Sequence, residues 1–321
     1  MSQRPVCLYY SILKYRPENR ALLEESFDCI ELNDPSADSP EVLARVEVLF
    51  APLGYAVDRA KIDACPNLRV VASNTTGHPH IDVDYCRARN IEVACLKFVP
   101  DFLRSITPTA ELTFGLIIAL TRGLFGAHRA ALNGKWDRRP HGAPAMLSRM
   151  KLGIVGLGRL GGWVADYGRA FGMEVAYFDP FVNRDDWPRF DSLPELAAWC
   201  DILTVHAPHE AETEGLISAG VIGRMRPGSY LVNTARGELL DWAAVMDALE
   251  TGRLAGAAFD VFEGEFEPGF AERFPDHTLL AYARTHDNVI LTPHIGGSTL
   301  DAWAETERKT IEMALAALSG Q

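Results

Sequence analysis

Three stretches of the 321-residue chain end apolar runs in residues that an ordinary strand end does not need. In "LVNTARGELLD" the run stops at Asn233, and Arg236 and Gly237 follow. In "AFDVFEGE" it stops at Asp260, with Glu263 and Glu265 close behind, and in "VILTPHIGGST" His294 stands between a proline and a glycine pair. A guanidinium grips a carboxylate with two parallel hydrogen bonds, an imidazole moves protons near neutral pH, and a carboxylate beside an imidazole orients it. An arginine, a glutamate and a histidine thus form a consistent set for proton transfer on a small carboxylate.

A fourth stretch, "LGIVGLGRLGG" (152–162), reads as a strand that runs out into glycines and resumes as a helix. Gly156 permits the tight turn, Gly158 lets the backbone approach a pyrophosphate, and Gly161 allows close helix–strand packing. The helix start then offers N–H groups to the phosphates. The next apolar run, "EVAYFD", ends in Asp179, about 20 residues beyond the loop, where a carboxylate accepts hydrogen bonds from ribose hydroxyls. The same charge repels a 2′-phosphate, and Pro180 and Phe181 follow in place of a basic residue. NAD is expected over NADP, with Arg184 the residue that opposes this reading.

These groups need strands to carry them. Candidate strands in the first hundred residues are "VCLYYSI", "FDCIEL", "VEVLFA", "LRVVASN" and "IEVACL", and from Lys151 onward "LGIVGL", "EVAYFD", "ILTVHA", "SYLVNTA", "AGAAFDV" and "NVILTPH". Helical patterns alternate with them, which means parallel sheets covered on both faces. In such sheets ligands bind outside the carboxyl ends of the strands, so the polar strand ends should converge. Between the two series, "TPTAELTFGLIIALTRGLFGAHRAAL" reads as one long helix, and the Gly- and Pro-rich "NGKWDRRPHGAPAM" follows it. The last helical pattern, near 298–318, has no place left in the second series and is expected to return to the first. The expected fold is α/β, with two Rossmann-like doubly wound parallel-sheet domains and a cleft between them. Residues 1–100 with 298–321 would form an outer, flavodoxin-like substrate-binding domain, and 101–297 a Rossmann domain for NAD.

Composition narrows the partners. A net charge of −12 argues against nucleic acid and anionic membranes, which favour basic patches. The most apolar run, around Leu112–Leu120, is shorter than the roughly 18 to 20 residues that span a bilayer. The first twenty residues lack a secretory h-region. A cytoplasmic protein with a small-molecule partner is expected, and its six scattered cysteines should be reduced and mostly buried. The "HPH" at His78 and His80 fits a helix start better than a metal site, and no metal is expected.

The motifs "GLGRLG", "VNTARGELLD", "AFDVFEGE" and "TPHIGGST", in that order and over nearly the whole chain, resemble the D-isomer-specific 2-hydroxyacid dehydrogenase family. The resemblance implies hydride transfer between NAD(H) and a small D-2-hydroxy or 2-keto acid. Arg236 would be the catalytic, substrate-binding arginine, His294 the general acid/base and Glu265 its acidic partner. The outer loop "SNTTGHPHID" would bind the substrate carboxylate through backbone N–H groups at Asn74, Thr75, Thr76 and Gly77, together with Arg236 and His294. The cofactor would meet Gly156, Gly158, Arg159, Leu160, Gly161, Asp179, His206, Ala207, Pro208, Thr213, Thr234, Ala235, Arg236, Asp260, His294, Gly296 and Gly297. Family members are usually homodimers joined through their nucleotide-binding domains. Members acting on phosphorylated substrates commonly carry an arginine where this chain has "FAPLGY", so glyoxylate or hydroxypyruvate is favoured, with a phosphoglycerate dehydrogenase-type activity as the alternative. Thr76 in place of a lysine disfavours phosphite, and Glu265 in place of glutamine disfavours formate. An NAD(H)-sensing binding protein or corepressor on the same fold is the non-enzymatic alternative.

Overall fold

A computed structural model describes residues 4–78, 80–267 and 269–320. Five strands, β1 (Val6–Tyr10), β2 (Asp28–Leu32), β3 (Val48–Phe50), β4 (Val70–Ser73) and β5 (Glu92–Cys95), form one sheet in the order β2-β1-β3-β4-β5, with every pairing parallel. Successive side chains of a strand face opposite ways, and β1 shows it: Cys7 and Tyr9 enter one core, Leu8 and Tyr10 the other. The first core is completed by Ile311 and Ala314 of the helix Leu300–Ser319, so the end of the chain returns to the beginning. Buried Glu307 on that helix accepts hydrogen bonds from Asn19 Nδ2 at 2.8 Å and the Arg16 N–H at 3.0 Å.

The second sheet contains β6 (Lys151–Val155), β7 (Glu174–Phe178), β8 (Ile202–Val205), β9 (Ser229–Asn233), β10 (Leu254–Phe259) and β11 (Val289–Leu291), in the order β11-β10-β9-β8-β6-β7, again all parallel. Beyond β7 lies what remains of a further strand, a single parallel bridge between Tyr177 and Arg189. The Tyr177 N–H donates to Pro188 O and its carbonyl accepts from Phe190 N–H. Proline at 188 removes a donor from that edge, so the ladder cannot propagate. With the bridge counted as a strand the order is the Rossmann one, and the chain reverses direction across the sheet between β6 and β8.

By packing, the chain divides into Met1–Ile106 with Ser298–Gln321, and Thr107–Gly297. Residues 101–106, placed with the second domain on sequence grounds, belong with the first. Leu103 is buried, and the Lys309 ammonium of the last helix lies 6.0 Å from the Phe102 ring. The long helix expected from Thr109 is two helices, Pro108–Thr121 and Leu124–Leu132, separated at Gly123, whose φ of +58° ends the first. Pro100–Thr121 is, by length and composition alone, apolar enough to cross a membrane, contrary to the sequence reading. Its chain is nevertheless interrupted between the helix Pro100–Leu103 and Pro108–Thr121, and the second helix buries Ala110, Phe114, Ile117 and Leu120 against β6, β10 and β11.

Candidate active site

The glycine turn after β6 has the geometry its spacing implies. Gly156 has a φ of +88°, and a Cβ there would press to 2.9 Å on the Ala207 backbone nitrogen. A Cβ at Gly161 would overlap the Gly156 carbonyl oxygen, so the helix Arg159–Ala170 can approach β6 only as glycine. Gly158, between them, faces open space. Close contact at two glycines and room at the third is the cradle a dinucleotide pyrophosphate requires. Half-buried Arg159 begins the helix; burial lowers the pKa of its guanidinium, which remains a cation at neutral pH. Leu160 packs beside it against the core.

Asp179 follows β7 directly and is buried. One carboxylate oxygen accepts the Leu157 N–H of the glycine turn at 2.8 Å, and the other accepts those of Phe181 and Val182, both at 2.9 Å. The acid therefore shapes the turn. Arg184 is held by Asp186, with Nε to Oδ1 at 3.0 Å, which diverts its charge. Asp179→Ala is expected to raise KM for NADH by about tenfold, through loss of charge-assisted hydrogen bonds, and to narrow the preference for NADH over NADPH. A wild-type preference for NADPH would refute the assignment.

On the other side of the switch point, His206 follows β8. Its Nε2 lies 3.0 Å from Thr204 Oγ1, and its buried Nδ1 has no hydrogen-bond partner among the described residues. Burial pushes its pKa down to about 3, so the ring is neutral at physiological pH. Ala207 and Pro208 lead into a turn that Thr213 closes by donating its hydroxyl to Pro208 O at 2.8 Å.

The three polar strand ends belong to the neighbouring strands β9, β10 and β11. At the end of β9, Asn233 clasps the next turn, with Nδ2 donating to Arg236 O at 2.7 Å and Oδ1 accepting the Ala235 N–H at 2.9 Å. The Thr234 hydroxyl turns inward to Thr113, 2.7 Å away. Gly237 lies so close to the acid-bearing segment that a Cβ would overlap Phe262 and Glu263 backbone. The neighbouring Glu238 accepts the Gly264 N–H at 3.1 Å. The arginine turn and the acid turn are thereby fastened together.

His294 Nδ1 meets Glu265 Oε1 at 2.8 Å. His294 has a φ of +51°, a left-handed conformation that costs a non-glycine residue about 1 to 3 kcal/mol. Asp260 holds it there. Its backbone carbonyl accepts the His294 N–H at 2.8 Å, and its buried carboxylate accepts from Thr292 Oγ1 and from the N–H groups of Ile295 and Gly296. A Cβ at Gly296 would crowd that carboxylate at 2.9 Å, whereas Gly297 is open. The Phe266 ring lies 5.4 Å from the imidazole, a contact the sequence did not signal.

In the first unit, the loop after β4 is pinned by its side chains. Tyr15 OH donates to Asn74 Oδ1 at 3.1 Å, and the Thr75 hydroxyl lies 2.9 Å from Ser73 Oγ and 2.5 Å from Gly77 O. His80 Nε2 faces Ser73 Oγ at 3.3 Å and His78 stacks on Phe98, so both imidazoles have non-metal neighbours. Burial, with His78 adding to it, lowers the pKa of His80 to about 4.

The second unit matches the family profile "D-isomer specific 2-hydroxyacid dehydrogenase, NAD binding domain" over residues 114–296. The chain is 32% identical over 315 residues to a glyoxylate reductase of Thermofilum pendens, covering 94% of this chain and 88% of that protein. It is 33% identical over 283 residues to a D-3-phosphoglycerate dehydrogenase of Bacillus subtilis, covering 87% of this chain but only 51% of the longer relative. A D-lactate dehydrogenase of Aquifex aeolicus, solved with NAD and lactic acid, superposes with a TM-score of 0.83 at 28% identity, covering 98% and 96% of the two chains. With the glycine cradle, the acid after β7 and the paired histidine and glutamate in place, the chain belongs to the D-isomer-specific 2-hydroxyacid dehydrogenases, NAD-dependent oxidoreductases of 2-hydroxy and 2-keto acids.

Proposed function

We propose that the substrate is a small unphosphorylated 2-keto acid of the glyoxylate or hydroxypyruvate type, and that a cytoplasmic homodimer interconverts it with its D-2-hydroxy acid. The observation that carries the chemistry is the Glu265–His294 hydrogen bond beside the arginine turn. NAD(H) supplies or accepts the hydride. Because Nδ1 of His294 is committed to Glu265, Nε2 is the atom that exchanges the proton: the imidazolium gives it to the keto oxygen in reduction, and the neutral ring takes it from the hydroxyl in oxidation. Arg236 grips the substrate carboxylate and the adjoining carbonyl, and in the first unit the N–H groups of the loop 74–77 are donors suited to a substrate carboxylate. "FAPLGY" after β3 brings no basic residue for a phosphate, which supports an unphosphorylated substrate. A relative that matches this chain at nearly full length is a glyoxylate reductase, whereas the chain spans about half the length of the Bacillus phosphoglycerate dehydrogenase.

A dimer through the nucleotide-binding unit is supported by large apolar side chains left exposed between 124 and 146: Leu124, Phe125, Leu132, Trp136 and Met146, with Trp136 at 93% exposure. Light scattering is expected to give about twice the monomer mass. With NADH at saturation, hydroxypyruvate and glyoxylate should turn over faster than 3-phosphohydroxypyruvate at equal concentration. The reverse order would establish the phosphoglycerate-type alternative, and tight NADH binding without turnover of any 2-keto acid would establish the sensor.

A further inference from the structure

The structure assigns Cys95 as a positioning residue for the substrate carboxylate: its thiol orients the peptide groups of the loop that follows β4, so that their N–H groups face the anion. This rests on the reading of that loop in the proposed function, and it concerns a buried thiol that the proton and hydride steps do not use.

Cys95 ends β5 and is paired in register with Ser73, the last residue of β4, so its side chain lies beneath the turn that leaves β4. It is fully buried, and its Sγ donates to Thr75 O at 3.1 Å with Thr76 O at 3.6 Å. In a trans peptide the N–H points opposite to the C=O. Drawing the carbonyls of Thr75 and Thr76 toward the thiol therefore turns the N–H groups of Thr76 and Gly77 to the other side of the loop. Two successive N–H groups pointing the same way form a concavity that accepts a carboxylate. The next carbonyl, that of Gly77, is held by the Thr75 hydroxyl at 2.5 Å, which prevents the turn from relaxing around the first two peptides.

Burial raises the thiol's pKa, so it stays a donor throughout the neutral range. A thiol is a weak donor, and the bond's own strength is secondary. What matters is that the thiol is the partner of the carbonyl of half-buried Thr75, and a peptide flip that found that carbonyl a new partner would reverse the N–H of Thr76 as well.

Two variants separate the donor from the packing. Cys95→Val removes the donor and adds about one methyl group of volume; Cys95→Ser keeps a donor and loses a little volume. Expected for Val is a rise of about tenfold in KM for hydroxypyruvate and in Kd for oxamate measured with NADH bound, a factor of the size set by one or two lost hydrogen bonds. kcat should change less than KM, and KM for NADH should stay within about twofold, since the glycine turn lies in the other unit. The serine variant should return both constants to within about threefold of wild type. Equal impairment in Val and Ser points to packing and overturns the proposal, as does an unchanged KM and Kd in Val. If the wild type turns over no 2-keto acid, the proposed function fails, and the oxamate comparison still decides on Cys95: wild-type protein that binds no oxamate, or binds it no better than the valine variant, overturns it.

Discussion

His294→Ala is expected to lower kcat for 2-keto acid reduction by about a thousandfold while NADH still binds, because loss of a positioned acid/base removes about 10² to 10⁴ in rate. The expectation is specific to the ring. The turn that holds it depends on backbone groups and on Asp260, so alanine removes the proton carrier and leaves its mounting. Glu265→Gln should do less, about a tenfold loss in kcat, because an acceptor remains near Nδ1 while the charge that favours the imidazolium is gone. Stopped-flow traces of NADH oxidation separate these effects from cofactor binding. More than a tenth of wild-type kcat in His294→Ala would remove the histidine from the proton transfer.

Gly237→Ala should be comparably damaging for a different reason. The new methyl group would overlap three backbone atoms of the acid turn, and backbone cannot swing aside as a side-chain tip does. The arginine and acid turns must then separate, which stretches the Glu238–Gly264 bond and pulls Arg236 and Glu265 out of register. A loss of about 3 kcal/mol in stability is expected, together with at least a tenfold fall in kcat/KM. Gly223→Ala is the control: its site in the helix Ala219–Arg224 has open space and ordinary dihedrals, so the melting temperature should hold or rise slightly. Equal behaviour of the two variants in thermal unfolding would show that the Gly237 contact is not tight.

The strands were legible because parallel strands buried on both faces read as short apolar runs, and the polar residues that interrupt those runs stood out at Asp179, Asn233, Asp260 and His294. An arginine, glutamate and histidine set followed from residue type and order, and the resemblance to the family singled out Glu265 as the partner of His294, where the structure has it. What the one-dimensional pattern could not show depended on three-dimensional proximity. Asp260 and Asp179 look alike in sequence, yet the carboxylate of the first holds the histidine turn and that of the second the glycine turn, and the Thr234 hydroxyl faces Thr113. Gly123 lies within a continuous helical pattern, and only its left-handed backbone breaks it. The strand reduced to the Tyr177–Arg189 bridge carries no apolar run. Cys95 passes for an ordinary core thiol until the carbonyls it faces are known.

The return of the helix Leu300–Ser319 to the first sheet gives the chain an order of assembly during synthesis. The nucleotide-binding unit is contiguous, and all of its strands have left the ribosome once residue 291 has emerged. The first unit was made earlier but must wait: the face carrying Cys7, Tyr9, Val70 and Ala72 stays without Ile311 and Ala314 until the last twenty or so residues are free. Nearly three hundred residues separate Asn19 from Glu307, a closure far slower than any local contact. The older third of the nascent chain thus becomes stable after the unit made later, and in the interval its uncovered apolar face is the surface that folding factors in the cell must shield.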